Sequence, residues 1–253
     1  MTKQNTPLLK PYNILLIGDD CIDVYQYGTV DRISPEAPVP VFKFSHEERK
    51  PGMAGNVALN LEALGCRVNY LHGNTSTKTR LVDIRSKQQI VRVDNDVMSH
   101  EIQFETAIPE VYDAIVISDY DKGTISYHLI KDLLKSQVCP IFIDTKKRDL
   151  ESLNGAYIKI NQLEASRAIT KPSPGWLITT LGEDGATWNG QSFNAESVEV
   201  ADVTGAGDTF LAALVVEYLT QQDIAKAIPY AIKAAGITVQ HFGVYAPTRS
   251  ELE

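Results

Sequence analysis

The stretch Asp202-Val203-Thr204-Gly205-Ala206-Gly207-Asp208-Thr209 decides how the rest of this sequence is interpreted. It is a glycine-rich turn that runs directly into an apolar segment with helical spacing, which ends near Leu219. Small residues let main-chain N–H groups approach a ligand closely, and the start of a helix carries partial positive charge. The stretch therefore predicts a turn that binds phosphate oxygens or a developing oxyanion.

Asp208, at the end of this turn, has two interpretations. Asp is a preferred N-cap residue, so Asp208 could simply cap the helix that follows. The two glycines and the alanine before it favour a functional role, because a plain cap does not require so open a backbone. A carboxylate placed beside an anion-binding turn could act as a general base.

Outward from this turn, short apolar strands alternate with helical patterns. Apolar runs at 13–18, 114–118, 141–144, 158–161 and 177–180 each end in polar residues, as do parallel strands that lead to a ligand-binding edge. Helical patterns occupy 56–64, 127–134, 207–219 and 224–239. This alternation predicts an α/β fold with a doubly wound, mostly parallel sheet flanked by helices.

Two other stretches, 39–44 and 79–94, have the character of exposed strands. We expect them to form a small β lid over the site, within a single domain that covers residues 1–253. The strand at 39–44 has an exposed edge that could pair with a second copy of the chain. We therefore expect a homodimer through the lid.

Composition excludes several classes of function. The formal charge of −8 repels polyanions, so we expect no nucleic-acid partner. No apolar run is long enough to span a bilayer, and Met1 to Lys10 lack the order of a secretory signal. The three cysteines form no Cys-x-x-Cys pair, and the five histidines show no zinc-ligand spacing. These features predict a cytoplasmic protein without a membrane partner.

The pattern Asp-x-x-Gly-Ala-Gly-Asp at 202–208 resembles the signature of the PfkB/ribokinase carbohydrate kinases. The resemblance implies a ribokinase-like fold and phosphoryl transfer from ATP to a sugar hydroxyl. It also implies that Asp208 is the general base and that the anion hole consists of Gly205, Ala206 and Gly207. This fits phosphoryl transfer, which depends mainly on positioning and charge stabilisation. The same resemblance allows a monovalent cation such as K⁺ near Asp202.

A second match lies at Pro51-Gly52-Met53-Ala54-Gly55-Asn56, which resembles the sugar-contacting signature of the family. Met53 stands where the family usually has the second glycine of a pair, and we expect it to narrow the sugar pocket. The resemblance implies sugar contacts by Gly52, Met53, Asn56 and also Asp23, whose carboxylate can accept two hydroxyl hydrogen bonds. Taken alone, the segment could equally be a loop with an Asn near a helix start.

Two shorter motifs indicate the nucleotide. Asn161-Gln162-Leu163-Glu164 matches the Asn-x-x-Glu element of the family, which implies that Asn161 and Glu164 act near the phosphates, Glu164 on Mg²⁺ through water. Thr180-Leu181-Gly182 resembles the turn at the ATP edge, and the resemblance adds Thr204, Gly205 and Gly207 to the ATP contacts. Alone, the first motif is weak and the second fits an ordinary strand-to-hairpin turn.

Within the family, the sequence is most similar to the D-glycero-β-D-manno-heptose 7-phosphate kinases, through 31–41, 85–94 and 118–123. That similarity implies phosphorylation of the anomeric hydroxyl to give the 1,7-bisphosphate, for lipopolysaccharide synthesis. Among the basic residues between Lys78 and Arg92, we expect Arg85 and Arg92 to bind the 7-phosphate, because Arg binds phosphate oxygens in pairs. On the motif alone, a solvated strand face is the simpler interpretation.

Three departures from these kinases leave alternatives open. The chain passes from the strand at 68–71 almost directly into the lid, so we expect an internal deletion of one βα unit near 73–76. Ile232-Lys233 replaces an Asn-Ala pair near the adenine, which leaves nucleotide selectivity open. We expect no nucleotidyltransferase domain in this sequence. The alternatives are a kinase of the same family for another sugar or sugar phosphate, and a non-catalytic sugar- or nucleotide-binding homologue.

Overall fold

The structure is a computed structural model that describes residues 11–103, 112–136 and 139–253. Its strands are β1 (Asn13–Ile33), β2 (Pro40–Met53), β3 (Arg67–Asp83), β4 (Gln89–Asn95), β5 (Ala114–Asp119), β6 (Ile141–Thr145), β7 (Tyr157–Asn161), β8 (Leu177–Thr180), β9 (Ala186–Trp188) and β10 (Gln191–Phe193). Its α-helices are α1 (Ala54–Ala63), α2 (Tyr127–Ser136), α3 (Gln162–Arg167), α4 (Ala206–Gln221), α5 (Ile224–Thr238) and α6 (Arg249–Leu252).

The strands form one sheet in the order β10-β9-β8-β7-β6-β5-β1-β3-β4, with β2 also paired to β1. The central pairs, from β3 through β1, β5, β6 and β7 to β8, are parallel. The outlying strands β2, β4, β9 and β10 pair antiparallel. This topology confirms the predicted doubly wound, mostly parallel α/β sheet.

Two hydrophobic layers cover the central sheet, and alternate residues of β1 supply both. Ile14 and Leu16 pack in the layer that contains α1, α4 and α5. Leu15 and Ile17 pack in the opposite layer, which contains α2. Since successive side chains of a strand point to opposite faces, a strand buried on both faces is apolar throughout. None of the described helices combines the length and apolar character that crossing a membrane requires.

Beyond the core, β1 and β3 continue outward together. We define the outer sheet as β2, residues 20–33 of β1, residues 75–83 of β3, and β4. The expected strand at 39–44 is part of β2, while 79–94 spans the end of β3, a turn and β4. β3 is a single strand from the core into the outer sheet. The chain at 73–76 therefore has no helix or loop between these two parts of the structure.

Gly18 lies where α1 packs on β1, and it generates a stability prediction. A Cβ at Gly18 would lie 2.3 Å from the Ala54 Cβ and 2.7 Å from the Ser118 carbonyl oxygen. We expect Gly18→Ala to lower the free energy of unfolding by about 1–3 kcal/mol, because α1 must move away from the sheet. Urea unfolding followed by circular dichroism measures this change.

Gly236→Ala in α5 is the matched control for this substitution. A Cβ at Gly236 would meet no heavy atom within 4 Å. We expect this variant to gain about 0.5–1 kcal/mol, since alanine favours a helix over glycine. Equal midpoints of urea unfolding for the two variants would contradict the close packing of α1 against Gly18.

Candidate active site

The glycine-rich turn forms the N-terminus of α4. Gly205 is the N-cap residue and has φ of +82°, in the left-handed region that favours glycine. A Cβ at Gly205 would lie 2.7 Å from the Asn56 side-chain nitrogen, so this turn packs closely against α1. Asp208 lies in the first turn of α4 and is only 6% exposed. Because Gly205 is the N-cap, Asp208 is not the cap of this helix.

Both carboxylate oxygens of Asp208 accept hydrogen bonds from side chains. The Asn56 amide donates to Oδ2 at 2.8 Å, and the Tyr120 hydroxyl donates to Oδ1 at 3.1 Å. Asn56 and Asp208 were both predicted from the sequence as site residues. Tyr120 lies in the matching segment 118–123, but its contact with Asp208 was not predicted.

A buried polar chain fixes the orientation of the Asn56 amide. Asn60 donates to the Asn56 main-chain oxygen at 2.8 Å and to its Oδ1 at 3.2 Å. Thr209 in turn donates to Asn60 Oδ1 at 2.8 Å, and Thr238 donates to Thr209 at 3.0 Å. Since Asn56 Oδ1 is an acceptor here, its nitrogen is directed at Asp208. Asn56 and Asn60 are one helical turn apart in the sequence, a spacing that could have indicated this polar network.

Burial is the main influence on the ionisation of Asp208. The pKa of Asp208 is raised to about 6, chiefly by burial and to a lesser extent by the nearby Asp144 carboxylate. The hydrogen bonds from Asn56 and Tyr120 and the Lys159 ammonium oppose this rise. A carboxyl group with this pKa is ionised at neutral pH and still accepts a proton effectively. These are the properties that a general base requires.

A cleft of about 490 Å³ lies in front of Asp208, at the carboxyl ends of the central strands. Several residues predicted for the nucleotide site line it together with Asp208: Asn161, Thr180, Gly182, Gly205 and Gly207. The lining also includes Asp144, Lys146 and Lys159, for which no role was predicted from the sequence. Together with Tyr120, these residues come from five separate segments of the chain, which the structure brings to one cleft.

Lys159 is a buried cation beside the glycine-rich turn. It is 4% exposed and pairs with Asp144 of the neighbouring strand at 2.7 Å. A Cβ at Gly207 would lie 2.9 Å from the Lys159 nitrogen, so the ammonium lies directly against the turn. Burial lowers the pKa of Lys159, but the Asp144 carboxylate outweighs this effect, so the pKa is raised overall and the side chain remains charged. The signal in the sequence that could have indicated this buried cation is a lysine within the otherwise apolar strand Tyr157–Asn161.

The Asn161 and Glu164 pair forms a capping box at the start of α3. Asn161 Oδ1 accepts from the Glu164 N–H at 2.9 Å, and Glu164 Oε2 accepts from the Asn161 N–H at 2.8 Å. The other Glu164 oxygen pairs with Lys146. Both Glu164 oxygens thus already accept from nitrogen donors, which leaves each oxygen one lone pair for a water.

Asp23 and Gly52 lie together in the outer sheet. Asp23 is buried, and its Oδ1 pairs with the Arg80 guanidinium at 2.5 Å. A Cβ at Gly52 would lie 2.6 Å from Asp23 Oδ2, so this close approach requires glycine. Met53 follows as the N-cap of α1 with φ of +50°, a backbone conformation that costs a non-glycine residue about 1–3 kcal/mol.

The basic residues of the outer sheet divide into two groups. In the strand register, Lys78 lies opposite Asp23, and Arg80 lies opposite Arg92. Because cross-strand partners share a face, Lys78, Arg80 and Arg92 lie on the Asp23 face. Arg92 also pairs with Asp94 at 2.8 Å. Arg85 lies in the turn after β3, exposed, and pairs with Asp31 at 2.6 Å, so the structure does not bring it to the other three.

Asp202 and Thr204 close the turn before α4. Asp202 Oδ1 accepts from the Thr204 N–H at 3.0 Å and from its hydroxyl at 2.8 Å. Asp202 Oδ2 accepts from the Gly243 N–H at 2.9 Å. This carboxylate therefore links the glycine-rich turn to the segment that follows α5.

Residues 71–251 match the family model described as pfkB family carbohydrate kinase. The chain is also similar to two curated proteins named Bifunctional protein HldE. It is 35% identical to that of Nitratiruptor sp. over 97% of this chain and 65% of the relative, and 32% identical to that of Nitrosococcus oceani over 95% and 63%. The chain thus spans less than two thirds of the length of these relatives. The first alignment covers 305 positions, so that relative has insertions compared with this 253-residue chain.

Solved structures share the fold. Escherichia coli phosphofructokinase-2 in complex with potassium has a TM-score of 0.71 at 14% identity, with 96% of this chain and 97% of that chain covered. Arabidopsis thaliana ribokinase complexed with ribose and ATP has a TM-score of 0.69 at 15% identity, with 96% and 98% covered. These matches confirm the predicted ribokinase-like fold.

The raised pKa of Asp208 generates a pH prediction. We expect turnover that uses this carboxylate as a base to be lost as the pH falls through about 6, because the protonated form cannot accept the hydroxyl proton. Initial rates of ADP release between about pH 5 and 9 measure this acidic limb. Circular dichroism over the same range separates it from unfolding. A limb near pH 4, the ordinary range for Asp, would contradict the buried position of Asp208.

Proposed function

The chain belongs to the pfkB family of carbohydrate kinases, and we propose that it transfers the γ-phosphoryl group of ATP to the anomeric hydroxyl of D-glycero-β-D-manno-heptose 7-phosphate. The product would be the 1,7-bisphosphate. One observation carries the proposal: Asp208, the glycine-rich turn and Lys159 meet at a cleft lined by the nucleotide motifs. The heptose is supported by the matching segments at 31–41, 85–94 and 118–123 and by the similarity to the HldE proteins.

In the proposed reaction, Asp208 takes the proton of the acceptor hydroxyl as its oxygen attacks the γ-phosphorus. A new O–P bond forms, the bond to the bridging oxygen breaks, and ADP leaves. The main-chain N–H groups of Gly205, Ala206 and Gly207 are suited to stabilise the charge on the transferred group. Lys159 supplies a fixed positive charge at the same place, since it lies against Gly207. Thr180, Gly182 and Thr204 complete the proposed ATP contacts.

The residues of the cleft fit a magnesium ion. Asp144 Oδ1 is buried at the cleft without a hydrogen-bond partner in the described structure, and Glu164 lies nearby on α3. Mg²⁺ prefers oxygen ligands and retains several waters, so these carboxylates would hold it largely through water. When bound, the ion would neutralise charge on the phosphates of ATP. The carboxylates of the chain would orient it, and Lys159 pairs with Asp144 beside it.

For the sugar, we propose that Asp23, Asn56 and the Gly52-Met53 backbone contact its hydroxyls. The 7-phosphate would bind on the Asp23 face of the outer sheet, where Lys78 and Arg92 lie. Arg92 would have to exchange its bond to Asp94 for the phosphate. Arg85 would have to leave Asp31 and reach in from the turn, so Lys78 is the stronger candidate.

We further propose that residues 1–253 form one kinase domain, which acts in the cytoplasm. The outer sheet would serve as the lid, and two copies would associate through it. Exposed apolar side chains on this sheet, Ile33, Phe44 and Val93, support the association. A K⁺ ion near Asp202 rests on the family resemblance alone.

The alternative substrate is another sugar or sugar phosphate. It is considered because β3 is uninterrupted at 73–76, which changes the wall of the proposed sugar pocket. A non-catalytic homologue is the alternative from another class. Asp208 and its two hydrogen-bond donors, together with Lys159, argue against that alternative. A panel of sugars and sugar phosphates, assayed with Mg-ATP, separates these possibilities.

Asp208→Asn tests the role of the base. We expect the rate of ADP release with heptose 7-phosphate and Mg-ATP to fall by about 10²–10⁴-fold, because an amide cannot accept the proton. Calorimetry should show that ATP still binds. Asp223→Asn, at the N-cap of α5, is the matched control, and Asn caps a helix as well as Asp. A wild-type protein that releases no ADP with any sugar would exclude the kinase proposal.

Lys78→Met tests where the sugar phosphate binds. We expect the KM for heptose 7-phosphate to rise about tenfold or more, because a charge-assisted contact to phosphate is lost, while the KM for ATP stays unchanged. Arg85→Met removes a positive charge from the nearby turn and serves as the comparison. A larger rise for Arg85→Met than for Lys78→Met would move the phosphate site to the turn.

A further inference from the structure

Tyr120 is a residue of the site to which the proposed reaction gives no role. It directly follows β5, and its hydroxyl donates to Asp208 Oδ1 at 3.1 Å. It also lines the cleft that contains Asp208 and the glycine-rich turn. The other carboxylate oxygen is taken by Asn56. Among the described residues, each oxygen of Asp208 thus already has one side-chain donor, so an acceptor hydroxyl that gives its proton to Asp208 binds beside or in place of one of them.

The two donors differ in how firmly they are held. Asn56 is fully buried, donates at 2.8 Å, and is fixed by Asn60 behind it. Displacing its amide would leave a buried polar group without a partner, which is costly. The Tyr120 side chain is only partly buried, and its 3.1 Å bond is long for a hydroxyl and a carboxylate. Tyr120 is therefore the donor that a ligand can replace.

The main chain at Tyr120 is fixed, so any change is confined to the side chain. The Tyr120 N–H donates to Asp19 Oδ2 at 2.7 Å, and the Lys122 N–H donates to the same oxygen at 3.2 Å. The ring lies near two ammonium groups, with Lys78 at 5.7 Å and Lys146 at 5.0 Å from its centroid. These are the cations of the sugar side and of the nucleotide side, so the ring lies between the two parts of the site.

We propose that the Tyr120 hydroxyl occupies the place of the acceptor hydroxyl on Asp208 Oδ1 in the empty enzyme, and that the sugar displaces it. The proposal rests on the kinase function proposed above and adds a residue that sets the affinity for the acceptor. Before the sugar binds, the Tyr120 hydroxyl supplies the buried carboxylate with a donor. In the complex the sugar hydroxyl donates to Oδ1 instead, and the phenol no longer contacts Asp208.

Tyr120→Phe tests this displacement. The variant lacks the competing hydroxyl, so we expect the KM for the sugar to fall about three- to tenfold with kcat within about twofold. The groups facing Asp208 are Asn56 from α1, Tyr120 after β5, Asp144 from β6 and Lys159 from β7. Removing one donor destabilises the ionised carboxylate, so the acidic limb of kcat/KM should move to higher pH. The limb of kcat should not move, because the sugar hydroxyl is on Oδ1 in both complexes.

Tyr127→Phe is the matched control. Tyr127 also has a lysine near its ring, Lys147 at 5.2 Å, and its hydroxyl accepts a hydrogen bond from the Asp149 N–H. We expect its KM for the sugar and its pH profile to equal those of the wild type. Thermal unfolding of both variants reports whether either loses the fold.

The outcomes are distinct. An unchanged or raised KM for the sugar in a folded Tyr120→Phe, or a fall in kcat of about tenfold or more, would overturn the displacement and make Tyr120 a residue needed in the complex. A shift of the kcat limb equal to that of kcat/KM would overturn it as well. ADP release by the wild-type enzyme in the same assay keeps these results separate from the kinase proposal, which fails only if the wild type is inactive.

Discussion

The hydrogen bond from Asn56 to Asp208 is the interaction on which the site depends. Burying an ionised carboxylate is unfavourable unless hydrogen-bond donors surround it, and Asn56 is the fully buried one of its two donors. This bond joins α1 to α4, which are far apart in sequence. Gly18 lets α1 lie close against the sheet, and Gly205 lets the turn before α4 approach Asn56. The two glycines therefore let α1 and the turn before α4 approach closely enough for Asn56 to bond to Asp208.

The parallel sheet brings the remaining charged groups to the same place. Asp119 and Asp144 lie at or next to the carboxyl ends of β5 and β6, and Lys159 lies in the middle of the neighbouring β7, opposite Asp144. Because parallel strands end at one edge, polar residues that terminate separate strands become adjacent. Lys159 and Asp144 stabilise each other there in a buried pair, and the same ammonium lies against the glycine-rich turn. The parallel pairing of β5, β6 and β7 thus determines both the fold at this edge and the arrangement of its charges.

The sequence was sufficient for the fold class because its apolar runs and helical patterns alternate, and the glycine-rich turn identified Asp208. The contacts of Asp208 were harder to predict. Its bonds to Asn56 and Tyr120 join residues 152 and 88 positions away, and no local pattern encodes such distances. Lys159 was missed because a lysine within a strand usually reaches solvent along its apolar stem. Only the register of β6 and β7 shows that it meets Asp144.

The outer sheet is joined to the core without loops, which limits how it can move. β1 and β3 pass from one to the other as uninterrupted strands, and β2 leads directly into α1 at Met53. The pairing of β1 with β3 shifts register between Gly18 and Asp20, and such irregularities bend strands locally. A rotation of the outer sheet toward the cleft would thus concentrate at this bulge. The same motion would change the distance between Lys78 and Tyr120, because Lys78 lies in the outer sheet beyond the bulge and Tyr120 lies on the core side.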